Sequence, residues 1–502
     1  MKFRDFIWIP AVFIMIVTVM SIPGNAYSQA ATKEKLQEAI QKIITESDLG
    51  DPTIGIYVQC CDKRILFEKN HTMALKPASC NKLQTTAAAL HYLSPDFKYE
   101  TPVYLLGDVV KKTLEGDLLV IGDGDPTISG RFGDNITHIF KDWAKALKKK
   151  GIKEINGDIL GDDDYFDDNY YASGWSDSYR GNWYSAEISA LSFNDNCVDI
   201  TWKAAKKPGK KASYTMNPDT EYINFINQIK TVEKGGSKGA DFKRDDKSNV
   251  VIAKGSIPVK EKMTDWCTVY NPTHYSTTVL KETLEEEGIK VRGEAYDLDD
   301  LPEKKKAIQQ NPPENLLTKY VSPDLMTIAG VINTNSQNFY AEQVLKTMGR
   351  EARGKGSFKD GAAAIKKFLR ENDIWENGCV IMDGSGLSHL NQVTPRQLVK
   401  LLRYMRTTDY WEDFRETLPR GATRGSLKDK FEDTEEEKRI APRIYGKTGH
   451  IGGVCSLSGV VYNETGKEIF YSVIINGYSC PLSDCRRFCN DIAFELARSK
   501  IR

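Results

Sequence analysis

The chain has 502 residues, 40% hydrophobic and 27% charged, with 19 Pro and 38 Gly, which excludes a disordered or fibrous polymer. Basic and acidic residues number 69 each, so there is no global electrostatic case for binding nucleic acid or an acidic membrane surface. Ten cysteines are too sparse for a disulfide scaffold, and the fold must stand on its core.

At the N-terminus, Lys2 and Arg4 precede an apolar run over 6–23, interrupted by Pro10 and Pro23, and small residues follow at Ala26 and Ala30. This pattern predicts a cleavable signal peptide over 1–30, cut after Ala26 or Ala30, and hence a periplasmic protein whose membrane association is at most peripheral. A helix is expected at 33–44, with Leu36, Ile40, Ile43 and Ile44 on one face. Residues 54–58 and 65–68 read as a hairpin turning at Asp62, Lys63 and Arg64. Pro77 then opens an Ala-rich helix over 82–93.

From 98 to 318 the texture changes to short strands at 103–106, 117–121 and 250–254. The Lys-rich stretches 203–211 and 230–247 read as solvated loops, and Asp162, Asp163 and Asp164 as a solvated turn. Helical patterns return at 325–345, 361–371 and 394–407, the first broken by a polar stretch. Strands at 443–445, 456–462 and 469–475 and a helix over 483–497 close the chain. The expected organisation is one domain in two parts, 31–97 and 319–502, carrying a β-rich insertion of two subdomains over 98–318.

Two segments imitate phosphate loops. Residues 349–356 place Gly356 where a hydroxyl is needed, and 441–448 open with Ala and run into a strand, so neither has the strand-loop-helix context. The six histidines are scattered and no CxxC pair occurs, which gives no metal site, and no cofactor is implied. Cys480, Cys485 and Cys489 are close enough in sequence for one local bridge.

The signal with chemistry in it is Ser79 followed by Lys82. A Ser in the first turn of a helix lies near the positive helix end, and a Lys three residues on shares its face. Burial and cationic neighbours lower the pKa of such a Lys and make it a base. Ser336 and Asn338 add a hydroxyl and an amide between two helical segments, and Lys447, Thr448 and Gly449 open a strand. SxxK, SxN and KTG in this order are the set of the β-lactamases and penicillin-binding proteins.

On these residues the chain resembles the low-molecular-mass class C penicillin-binding proteins, the D-alanyl-D-alanine carboxypeptidase/endopeptidases of the serine β-lactamase-like superfamily. The likeness extends to Gly122-Asp123-Gly124-Asp125-Pro126-Thr127, to Ser189-Ala190-Leu191-Ser192-Phe193-Asn194-Asp195-Asn196, to Asn338-Phe339-Tyr340-Ala341-Glu342 and to Asp383-Gly384-Ser385-Gly386-Leu387-Ser388. It implies an α+β fold: a transpeptidase-like domain, an antiparallel sheet flanked by helices, with a large β-rich insertion between the SxxK and SxN motifs.

The resemblance implies Ser79 as nucleophile, Lys82 as base, Ser336 as proton relay, Asn338 as a support for Lys82 and the substrate amide, and Lys447 as the cation. Thr448, Gly449, His450, His389 and Tyr184 form the expected substrate-binding set, with the N–H groups of Ser79 and His450 as oxyanion hole. Partners implied are peptidoglycan stem peptides, and β-lactams as covalent inhibitors, with no nucleic acid. His450 stands where relatives carry Ser or Thr, His389 where many carry Arg, and Tyr179, with Asp177 nearby, where an acid is usual. A diaminopimelate preference therefore does not carry over. Cys80 reads as a small buried residue, the Asp383–Gly386 stretch as a supporting turn, and Trp175, Trp183 and Tyr184 as either core or cleft lip. The alternatives are a β-lactamase on the same frame, for which no dedicated deacylating acid is evident, and a silent wall-binding scaffold, which would have lost a motif residue.

Overall fold

The computed structural model describes residues 24–502; the expected signal segment lies, up to residue 23, outside the described residues. The frame is a five-stranded antiparallel sheet in the spatial order Ile444–Ile451, Val454–Tyr462, Glu468–Asn476, Thr53–Cys60, Ile65–Lys69. The two ends of the chain thus meet in one sheet, with Thr53 opposite Asn476 and Cys60 opposite Ile469.

The strand Glu468–Asn476 is buried along almost its whole length because helices cover both faces. Ile469, Tyr471, Val473 and Ile475 pack with the helix Leu482–Arg498, while Phe470 joins the core of the helix Pro395–Met405 on the other face. A strand covered on both sides has no polar face, which is why its sequence is nearly all apolar from Ile469 to Ile475, its one serine, Ser472, being paired with Ser458 at 2.8 Å.

The helix Lys82–Leu93 runs through the helical layer formed with Leu325–Thr334, Asn338–Arg353 and Phe358–Glu371. Ala87, Ala88 and Ala89 are fully buried, and their small side chains let neighbouring backbones approach closely. The single helical pattern read over 325–345 is two helices, and the polar break between them holds Ser336 at φ +59°.

Residues 98–318 contribute most of a seven-stranded sheet built on the hairpin Glu100–Val110 and Thr113–Ile121, and two three-stranded sheets. Three helices here, His138–Lys149, Pro272–Glu286 and Pro302–Gln310, depart from the strand-and-loop expectation. In the first, Ile139, Phe140, Trp143, Ala144 and Leu147 face the core, a helical stripe masked by the lysines that follow it.

Two readings are corrected. The stretch 230–247 is not a solvated loop: it contains the end of the strand Asn224–Val232 and the strand Gly239–Arg244. Its lysines face water, while Phe242 is core and Arg244 pairs with the buried Glu187 at 2.8 Å. Nor is Asp163 in a solvated turn; it is buried and accepts hydrogen bonds from Ser189 and Thr273, both at 2.7 Å. All ten cysteines are free thiols, with the sulfurs of Cys480 and Cys485 3.4 Å apart. Among the described residues no helix is long and apolar enough to cross a membrane.

Candidate active site

Ala78–Asn81 form a 3-10 turn that leads directly into the helix Lys82–Leu93, and Ser79 sits in this turn. Two glycines permit the local crowding. A Cβ at Gly386, where φ is +84°, would lie 1.9 Å from the Ala78 carbonyl oxygen. A Cβ at Gly449 would lie 2.8 Å from the Pro77 carbonyl oxygen and 3.0 Å from the Ser79 nitrogen. Ser79 is thereby clamped between the edge strand Ile444–Ile451 and the 383–388 loop, whose Asp383 carbonyl accepts from Asn81 Nδ2 at 2.8 Å.

Lys82 is fully buried, and its Nζ has three neighbours: Asn338 Oδ1 at 2.6 Å, the Ser385 carbonyl at 2.7 Å and Ser79 Oγ at 3.1 Å. The two closer oxygens can only accept. A neutral amine has two N–H groups and one lone pair, so with both N–H groups given to Asn338 and Ser385 the lone pair is left facing Ser79 Oγ. The Asn338 amide is held in the orientation this requires, because its Nδ2 donates to the Tyr184 carbonyl at 2.7 Å. Burial lowers the Lys82 pKa well below its ordinary value, and the Lys447 cation lowers it further.

Lys447 is also fully buried; its Nζ donates to Ser336 Oγ at 2.8 Å and to the Thr448 carbonyl at 2.9 Å. Burial brings its pKa down to about 8. Because Ser336 Oγ accepts from Lys447, its own hydrogen is available to a ligand. Thr448 Oγ1 lies 2.6 Å from Ser426 Oγ.

These groups open on a cavity of about 730 Å³ lined by Ser79, Ser336, Asn338, Thr448, Gly449, His450 and Tyr184 among others. The five expected catalytic residues form two hydrogen-bonded sets, Ser79 with Lys82 and Asn338, and Ser336 with Lys447; Ser79, Ser336 and Asn338 line one cavity, which also takes four of the five expected binding residues. His389 is not among its lining; its Nε2 lies 3.5 Å from the Oη of Tyr179, which does line it. Trp183 and Tyr184 prove to be cleft lip, whereas Trp175 packs inward and donates from Nε1 to Asp383 at 2.9 Å. Cys80 is buried with its thiol pKa pushed up by burial, and donates to the Lys447 carbonyl at 3.0 Å.

Three participants were beyond the motif reading. Ser426, from the 425–427 turn, faces Thr448. Ser385 serves Lys82 through its carbonyl, a group that every residue type possesses. Glu342, fully buried, accepts from the Gly384 and Ser385 N–H groups, each at 2.7 Å, and so holds the loop that holds Lys82. Its position four residues after Asn338, on the same helix face, and its place at the end of the 338–342 likeness are the sequence signals that pointed there.

A possible metal-ligand group lies elsewhere: Asp163, Asp297 and Asp299 bring carboxylate oxygens within 4.8 Å of one another. Those carboxylates are occupied by protein donors, Ser189 and Thr273 on Asp163, Asn271 on Asp297 and Lys305 on Asp299. None of the three lines the Ser79 cavity.

Comparison with known proteins agrees with this geometry. A curated D-alanyl-D-alanine carboxypeptidase of an Actinomadura species is 27% identical over 472 residues, covering 91% of this chain and 84% of the relative. The D-alanyl-D-alanine carboxypeptidase DacB of Haemophilus influenzae is 25% identical, with 83% of each chain covered. The crystal structure of penicillin binding protein 4 from the same organism superposes with a TM-score of 0.77 at 22% identity, over 91% of this chain and 99% of that one, so the α+β fold is shared. The D-Ala-D-Ala carboxypeptidase 3 (S13) family profile matches residues 36–491, and the chain belongs to that family.

Proposed function

We propose that the chain is an exported serine D-alanyl-D-alanine carboxypeptidase that acts through an acyl-enzyme on Ser79. The observation that carries this reading is the buried Lys82, whose two shortest contacts turn its lone pair toward Ser79. In this reading Lys82 takes the Ser79 proton as Oγ bonds to the carbonyl carbon of the penultimate D-alanine. The Ser79 and His450 N–H groups receive the developing oxyanion. Ser336 passes the proton to the leaving nitrogen as the C–N bond breaks, and the Lys447 charge with the Thr448 hydroxyl holds the terminal carboxylate. Water then displaces Ser79 and releases the shortened peptide. The same step on an amide joining two stem peptides is endopeptidase action. The 98–318 region is read as an insertion that lends the cleft Tyr179, Trp183 and Tyr184.

The test is intact-mass measurement after brief incubation with benzylpenicillin. The expected result is an adduct of the drug's mass on wild type and none on Ser79→Ala. Penicilloate accumulating without an adduct would instead make the chain a β-lactamase.

Acylation in this scheme needs Lys82 neutral and Lys447 charged. Lys82 loses its proton first, since both burial and the Lys447 cation lower its pKa, whereas burial alone lowers that of Lys447. The acylation rate is therefore expected to rise with pH at the lowered Lys82 pKa and to fall again near pH 8 as Lys447 deprotonates. A rate still climbing at pH 9.5 would remove Lys447 from its cationic role.

A further inference from the structure

A second cavity of about 990 Å³ shares no lining residue with the Ser79 cavity. It lies between the 164–173 segment, the start of the helix Phe358–Glu371 and the 379–382 segment. Its walls include the rings of Tyr165, Tyr171, Phe358 and Trp375. Its acids are already neutralised: Asp164 by Lys305, Asp167 by the buried Lys346 at 2.8 Å and Asp360 by Arg353 at 3.1 Å. Its cations are not. Arg350, Lys355, Lys359 and Lys366 line the cavity, and none makes an ion pair within 4.0 Å among the described residues. Lys366 Nζ lies 4.9 Å above the Trp375 ring and Arg350 Cζ 5.3 Å from the Tyr165 ring.

A chain with zero formal net charge thus concentrates unpaired positive charge over aromatic walls at one place. Charge of this sign suits carboxylates, and the rings suit the faces of sugars or aliphatic side chains. The volume is that of an extended ligand, well beyond a single small anion. One wall also leads into the first site: Ile381 and Met382 line the cavity, the next residue, Asp383, accepts from Asn81, and Ser385 holds Lys82.

We infer that this cavity binds a carboxylated peptidoglycan segment, a stem peptide with its attached amino sugar, away from the bond being cut. The inference rests on the proposed function, because that reading makes peptidoglycan the substrate. An uncut neighbouring strand seated here would tether the enzyme to its polymeric substrate, and its seat is continuous with the loop that positions the base.

The experiment uses the full mature chain, first acylated with benzylpenicillin so that the Ser79 cavity is closed. N-Acetylmuramyl tripeptide is titrated into it by calorimetry, beside the Lys355→Ala/Lys359→Ala protein treated in the same way. Both lysines are exposed, and a thermal melt verifies that the variant is folded. Saturable binding to the acylated wild type, weakened at least fivefold in the variant and by added salt, is the expected result. No binding to wild type, or equal binding by the variant, overturns the inference. Equal binding of uncharged chitotetraose overturns its carboxylate part. If benzylpenicillin leaves no adduct, the proposed function fails on its own account, and the same wild-type and variant titrations on unmodified protein still decide the second cavity.

Discussion

Replacing Lys82 by Ala is expected to slow acylation of Ser79 by about 10²- to 10⁴-fold, the range over which a positioned general base acts. The size follows from the absence of a substitute. Lys447, the nearest other amine, donates to Ser336 and the Thr448 carbonyl and is needed as a cation. Stopped-flow or quenched mass measurement of the acylation rate checks this, and a loss below tenfold would mean that another group removes the proton. A second variant, Lys82→Met, separates chemistry from stability. The folded-state pKa of Lys82 lies below its unfolded value, so between the two the unfolded chain binds more protons and stability rises with pH. That contribution is complete above the unfolded pKa near 10.5 and is lost as pH falls toward the folded one. Met carries no such charge. The Tm of Lys82→Met relative to wild type is therefore expected to be more favourable at pH 7 than at pH 10.5, while acylation is lost at both. A site that keeps a buried, destabilised base for activity behaves in this way.

Much of this site was legible because its chemistry is written in side chains. In the proposed mechanism Ser79, Lys82, Asn338 and Lys447 have to be a hydroxyl, an amine, an amide and a cation, so the residue types announce the proposed roles. Contacts such as Lys82 to Asn338, 256 positions apart, then follow from the order of the motifs. The contributions made by backbone were not legible. Ser385 offers a carbonyl, and the loop carrying it donates two backbone N–H groups to the Glu342 carboxylate, so the 383–386 stretch reads as a supporting turn but nothing in its residue types specifies the contact to Lys82. In the fold, the apolar runs of the central sheet were easy to place, since burial on both faces leaves few polar residues in the strand, and two of those few, Ser458 and Ser472, pair with each other. The 98–318 region was harder. There, lysines alternate with buried residues along strands, and an apparently solvated charge such as Arg244 finds its partner Glu187 57 positions away. A linear reading sees the charge and not the partner.

The largest effect expected outside the motif residues is at Glu342. Asn338, Glu342 and Lys346 follow one another at i, i+4 and i+8 on the helix Asn338–Arg353, and all three side chains are buried. Asn338 holds Lys82, Glu342 holds the loop behind it, and Lys346 donates to the carbonyls of Asp167 and Asn169 at 2.9 and 3.1 Å. Both Glu342 oxygens accept N–H donors, an arrangement that suits the anion, although burial and the nearby Asp383 push its carboxyl pKa up. Glu342→Gln sets an NH2 group against one of those donors. That leaves a buried N–H unsatisfied at a cost of roughly 1–3 kcal/mol and displaces the Ser385 carbonyl from Lys82. The acylation rate constant is expected to fall about 10²-fold, with non-covalent β-lactam affinity nearly unchanged, because Glu342 does not line the Ser79 cavity. The ascending limb of the pH profile gives the second readout. Glu342, whose pKa burial and Asp383 raise to about 8, raises the Lys82 pKa wherever it is ionised, so its removal should move that limb to lower pH. A slower rate with an unmoved limb would make Glu342 a structural support only, and an unchanged rate would dissociate the loop from the base altogether.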